Sequence, residues 1–98
     1  MQDYNYCLWG AGTYGARTIE FMKKDLTFQA IIDNNPKKQG TSFCGLPVIS
    51  FDEAKKAFPE SKIVLALNVP TVVRGMLLSL GLEENRDFYT LHDFIPRF

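Results

Sequence analysis

Apolar and polar positions along the chain switch repeatedly between two periods. Residues 4–9, Tyr-Asn-Tyr-Cys-Leu-Trp, form a short apolar run that predicts a first strand. From Thr13 the period becomes helical, with Gly15, Ile19, Met22 and Leu26 at spacings of four, three and four. Lys23 and Lys24 fall in the expected last turn, where cations suit the negative end of the helix dipole. Phe28–Ile32 predicts a second strand, and Asp33-Asn34-Asn35-Pro36 a turn after it. Residues 37–47, with Gly40, Gly45 and Pro47, predict a loop, and Val48-Ile49 a short third strand. Ser50 with Glu53 three residues later is a capping box that opens a helix through Phe58, ended by Pro59. A fourth strand is predicted over Lys62–Val69, around the unbroken apolar run Ile63–Leu67. Pro70 suits the first turn of the next helix. Val73, Met76, Leu77 and Leu80 are its expected buried stripe, and Gly81 its stop. Phe88–Leu91 predicts a fifth strand.

Strands alternating with helices imply a parallel sheet with right-handed crossovers. The expected fold is therefore α/β: a Rossmann-like three-layer α/β/α domain with about five parallel strands in the order 3-2-1-4-5. Ninety-eight residues make one such domain, over 1–98.

Composition narrows the setting. The chain is 46% hydrophobic and 22% charged, as a soluble globular domain is. Eleven basic and eleven acidic residues cancel, and the basic residues cluster only as Lys-Lys pairs. A counterion-displacing surface is missing, so nucleic acid is not an expected partner. No segment approaches the ~20 apolar residues of a membrane span, and the start lacks the pattern of a signal peptide. Cys7 and Cys44 form no CxxC, and with one histidine a structural zinc site is not expected. A reducing cytoplasm fits these cysteines.

The chemistry concentrates at the first strand–helix turn. Gly10, Gly12 and Gly15 form a GxGxxG after an apolar strand, and Asp33 lies 23 residues after Gly10, at the end of the next strand. Gly10 permits the tight turn, Gly12 lets a pyrophosphate approach bare backbone, and Gly15 lets the helix pack on the sheet. The helix N-terminus offers unpaired N–H groups and partial positive charge to an anion. The alternative is that the glycines only make a tight turn. Asp33 has two readings, a ribose acceptor or an Asx-turn residue. Asn68, at the end of the fourth strand, likewise reads as a sugar ligand or as a helix cap. The candidate cofactor-binding set is Gly10, Ala11, Gly12, Thr13, Tyr14, Gly15, Asp33, Asn34 and Asn68. The expected ligand is NAD or a nucleoside-diphosphate sugar, without metal. A P-loop is excluded because Ala16-Arg17 follow the second glycine of a GxxxxG, and a GxGxG methyltransferase loop because Tyr14 stands fifth.

Catalysis by this chain alone is not expected. None of the four tyrosines has a lysine four residues on, there is no GxSxG, and His92 with Asp93 reads as a surface pair. The leading reading is a non-catalytic nucleotide-binding module. A ligand-free scaffold or dimerisation domain, and a fragment of a nucleotide-sugar dehydratase or methyltransferase, are the alternatives.

The strings LWGAGTYG, IDNNPKKQG at 32–40, GLPVIS at 45–50 and LGLEENRDFY make the chain resemble a recurring bacterial module. It is similar to the small Rossmann-like domain of surface-polysaccharide biosynthesis proteins, over roughly residues 4–94. There the domain accompanies glycosyltransferases, methyltransferases, sugar O-acyltransferases and nucleotide-sugar dehydratases. The resemblance implies nucleotide or nucleotide-sugar binding within a larger polypeptide or assembly, next to a covalently linked catalytic domain; separately, a homodimer is an expected form. On this reading the 98 residues are one domain of a larger protein.

Overall fold

The structure is a computed structural model and describes residues 6–95. Its elements are β1 (Tyr6–Trp9), α1 (Thr13–Met22), β2 (Phe28–Ile32), β3 (Ser42–Phe43), β4 (Leu46–Ile49), α2 (Phe51–Ala57), β5 (Lys62–Leu65), α3 (Thr71–Ser79), β6 (Phe88–Thr90) and α4 (Leu91–Phe94). The six strands form one sheet in the order β3-β4-β2-β1-β5-β6. All pairings are parallel except β3 with β4. Without the antiparallel β3, this is the 3-2-1-4-5 order expected of a Rossmann-like sheet. Tyr4 and Asn5, expected to begin the first strand, lie outside the described residues.

The two faces of the sheet bury different halves of the apolar pattern, because successive strand residues point to opposite sides. Tyr6 and Leu8 of β1, Phe28 and Ile31 of β2 and Val64 of β5 pack with Met22, Leu26 and Phe94. Cys7, Trp9, Ile32, Ile63 and Leu65 pack with Phe51 and Ala54 of α2 and Leu77 of α3. Tyr6 meets Phe94 edge to face, with ring centroids 5.2 Å apart. Burial on both faces is what permits near-continuous apolar strands such as Tyr-Cys-Leu-Trp.

Helix ends follow local chemistry. Ser50 Oγ accepts from the Glu53 N–H at 3.1 Å while Glu53 Oε1 accepts from the Ser50 N–H at 2.9 Å, which completes the capping box of α2. Gly81, at φ 91°, ends α3 with paired bonds from the N–H groups of Gly81 and Leu82 to the carbonyls of Leu78 and Leu77.

Several expectations shift. Residues 37–47 are not wholly loop: Ser42–Phe43 pairs back on Leu46–Pro47 as a hairpin. Its turn puts Cys44 at φ 51° and Gly45 at φ 81°, both left-handed, as a tight two-residue hairpin turn requires. The fourth predicted strand stops at Leu65, and 66–70 leaves the sheet toward α3. Leu91 begins α4 rather than ending a strand. Lys23 is the C-cap residue of α1, and Lys24 falls beyond it. Leu80 is 57% exposed and is not part of the buried stripe of α3.

Candidate functional site

The crevice lies at the carboxyl ends of β1 and β5, where chain connections leave the sheet in opposite directions, the usual place for a ligand in an open α/β sheet. Its first wall is the turn between β1 and α1. Gly10 has φ 126°, and a Cβ there would lie 2.5 Å from the Ala66 carbonyl oxygen. A Cβ on Gly15 would lie 2.0 Å from the Gly10 carbonyl oxygen. Both glycines are therefore demanded by the protein's own packing. Gly12 is different. It has extended backbone, φ −146°, and a Cβ there would meet nothing within 4 Å. The protein itself has no steric need of a glycine at this position.

Gly12 is also the N-cap residue of α1 and, having no side chain, supplies no cap to the first helical N–H groups. The first helical bond runs from the Ala16 N–H to the Gly12 carbonyl, at 2.9 Å. The N–H groups of Thr13, Tyr14 and Gly15 precede that bond and take no acceptor among the described residues. Three orphan donors at the positive end of a helix, beside an open floor, are the arrangement that favours an anion.

The second wall is the turn after β2. Asp33 Oδ1 accepts from the Asn35 N–H at 2.9 Å, which is the Asx turn, and Oδ2 accepts from the Ala11 N–H at 3.1 Å. Asp33 thus ties its own turn and the glycine loop together. A carboxylate has about four acceptor positions, so two remain for other donors. Asn34 is exposed in the same turn. Lys38 donates from Nζ to the Ala11 carbonyl at 2.8 Å. The Ala11 peptide is therefore clamped from both sides, and a lysine ammonium is held at the loop. Lys38 was not in the expected set; the Lys-Lys pair and its loop position read as solvated surface, and only the fold of 37–41 brings it back.

The third wall is the segment after β5. Asn68 does not cap α3, whose N-cap is Pro70 without a side-chain bond. Asn68 Oδ1 instead accepts from the Tyr14 hydroxyl at 3.2 Å, across the crevice. Tyr14 also accepts at its carbonyl from Thr18 Oγ1, at 2.7 Å.

A separate cavity of about 120 Å³ lies under α2, lined by Cys7, Phe51, Phe58, Ser61, Ile63 and Leu82 among others. It is small beside the roughly 300–1,000 Å³ of typical ligand pockets and holds none of the free loop amides. Burial pushes the Cys7 thiol up, partly opposed by a hydrogen bond from Ser61 to its sulfur, so it is a packed thiol and not a reactive one. Among the described residues no three His, Cys, Asp or Glu side chains gather as metal ligands, and no helix is long and apolar enough to cross a membrane.

With this geometry in place, likeness to known proteins adds content. The chain is 31% identical over 68 residues to the redox-sensing transcriptional repressor Rex of Brevibacillus brevis, covering 66% of this chain and 33% of Rex. The chain therefore spans about a third of that curated relative. It superposes on UDP-D-quinovosamine 4-dehydrogenase from Vibrio fischeri with a TM-score of 0.67 at 19% identity, over 98% of this chain and 86% of that one. The Rex-family repressor RSP, solved in complex with β-NAD+ and operator DNA, gives a TM-score of 0.60 at 17% identity, over 96% and 54%. RSP has also been solved in complex with β-NADH, again with a TM-score of 0.60 and at 18% identity, over 89% and 44%. At these identities the structural likeness is one of fold.

These findings correct one expectation. Balanced charge had argued against nucleic acid as a partner, yet the Rex-family repressor RSP binds operator DNA. The charge argument was drawn on 98 residues, which span 54% of the RSP chain, and it says nothing about charges carried elsewhere in such a protein. Residues 1–76 match the CoA binding domain, and the chain belongs to that family.

Proposed function

We propose that this chain is a nucleotide-binding module that seats the pyrophosphate of NAD on the turn from Gly10 to Gly15. The observation that carries the reading is the open floor at Gly12 beside the three free N–H groups. A glycine that the protein's own packing does not require has a ready explanation if a phosphate approaches its backbone. Ala11 keeps its peptide clamped, so the phosphate is held by Thr13, Tyr14 and Gly15 N–H groups and by the Lys38 ammonium. Asp33 uses its remaining acceptor positions for ribose hydroxyls, and Asn34 lies beside it. Membership of the CoA binding domain family and the β-NADH complex of RSP support a dinucleotide or related adenine nucleotide.

A UDP-sugar is the second reading. It is favoured by the likeness to UDP-D-quinovosamine 4-dehydrogenase and by the resemblance to modules of surface-polysaccharide biosynthesis. In either case the chain binds without catalysing, in a reducing cytoplasm, as one domain of a longer polypeptide. Calorimetric titration with NADH, NAD+, coenzyme A and UDP-sugars tests this. The expected outcome is saturable binding of NADH. Saturable binding of a UDP-sugar with none of NADH selects the second reading. Heats of dilution from all four leave the ligand-free scaffold.

A further inference from the structure

We infer that the hydrogen bond between Tyr14 and Asn68 is a latch across the crevice, which an incoming nucleotide must open. The inference rests on the nucleotide reading above. The Tyr14 hydroxyl donates to Asn68 Oδ1 at 3.2 Å, joining residues 54 positions apart. Among the described residues it is the one side chain-to-side chain hydrogen bond that joins the helix α1 lip to the segment after β5. The other links between these walls are deep backbone contacts, such as the Ala66 N–H to the Trp9 carbonyl at 2.9 Å. Those belong to the sheet and do not move without it.

The latch closes the mouth without filling the site. The space above Gly12 stays open to 4 Å, so the Tyr14 ring is not folded into it. Tyr14 and Asn68 are both exposed, and their bond is readily exchanged for water. Tyr14 carries one of the free backbone N–H groups on the same residue whose side chain crosses the opening. A dinucleotide extending from the loop amides toward the segment after β5 has to pass this side chain. The closed state therefore competes with the ligand, and apparent affinity falls by the fraction of molecules that are open. Val69 and Val72, which follow Asn68 in the chain, are exposed, so apolar surface lies just beyond the latch for the part of the ligand past its phosphates.

The test uses NADH as the probe, titrated by its fluorescence and by calorimetry, with melting temperatures confirming that each variant folds. Tyr14→Phe keeps the ring and removes the hydroxyl; Asn68→Ala removes the acceptor. Each is expected to tighten NADH by about two- to fivefold and to speed association. The double variant is expected to gain no more than either single one, because both remove the same bond. Weaker binding by Tyr14→Phe, unchanged binding in both, or gains that simply add would overturn the latch while leaving the nucleotide reading intact. Binding by Tyr14→Phe with none by the wild type would establish the latch in its strongest form. Absence of binding by wild type and variants alike would remove the nucleotide reading and the latch with it.

Discussion

At the scale of single residues, the three glycines of the first turn separate into two kinds. Gly10 and Gly15 are held by steric necessity, with hypothetical Cβ atoms at 2.5 and 2.0 Å from backbone oxygens. Gly12 is free of such contact. Gly15→Ala is therefore expected to destabilise the fold by about 1–3 kcal/mol, as overpacking does, and Gly10→Ala by at least as much because its φ is positive. Gly12→Val should cost no more than about 1 kcal/mol of unfolding free energy in urea, the loss of a favourable N-cap residue, while abolishing NADH binding, since its branched side chain fills the floor. Equal loss of stability at all three positions would contradict this division. The spacing of the glycines and the packing need at Gly10 and Gly15 were legible in the sequence, but the atoms that enforce it were not. Gly10 is enforced by the Ala66 carbonyl, a tertiary contact, and Gly15 by the Gly10 carbonyl within the turn itself. Asp33 shows the same limit. Its neighbours Asn34-Asn35-Pro36 announced the turn, while its bond to the Ala11 N–H needed β1 and β2 side by side.

At the scale of elements, the legible parts were those whose signal is local. The capping box of α2 is complete in the structure, and Ser50→Ala is expected to cost about 1 kcal/mol, read as a shift in chemical denaturation. Short apolar runs marked β1, β2 and β5 because each is buried on two faces. Two-residue β3 left no periodic trace, and its pairing rests on a turn in which Cys44 takes a left-handed conformation that its side chain does not announce. Phe88–Leu91 read as one strand because apolar residues fill both a strand end and a helix start, and α4 begins at Leu91. A charged link joins α3 to the loop before β6. Arg74 Nε donates to Glu84 at 2.9 Å, and Arg86 Nη2 to Asp87 at 2.9 Å. Hydrogen bonds from these guanidinium groups hold Glu84 and Asp87 below the usual carboxylate range. A depressed folded value stabilises above the ordinary carboxylate pKa of about 4 and loses that contribution as pH falls through it and below. Stability should accordingly decline on acidification, and Glu84→Gln should make that decline shallower. Both carboxylates are half-buried but their arginine partners are exposed, so the effect is small, and parallel urea curves between neutral and acid pH are the measurement.

At the scale of the whole molecule, one 98-residue domain has a modest core, and a bound nucleotide becomes a large share of its stability. NADH at 100 times its dissociation constant is expected to add about 2.7 kcal/mol, which for a domain of this size raises Tm by roughly 10–20 °C. A scan with and without NADH reads this directly. The topology was legible as a whole because strand–helix alternation leaves few ways to connect a parallel sheet. The hairpin of β3 and β4 carries a different consequence. A parallel sheet that ended on β4 would present a bare row of peptide groups at its margin, ready to recruit a strand from another molecule. Here that margin is capped by a two-residue strand, and the opposite one by the three residues of β6. Both rims offer only two or three residues for a neighbouring strand to pair with, which guards a sheet whose central strands are unbroken and apolar against edge-to-edge pairing.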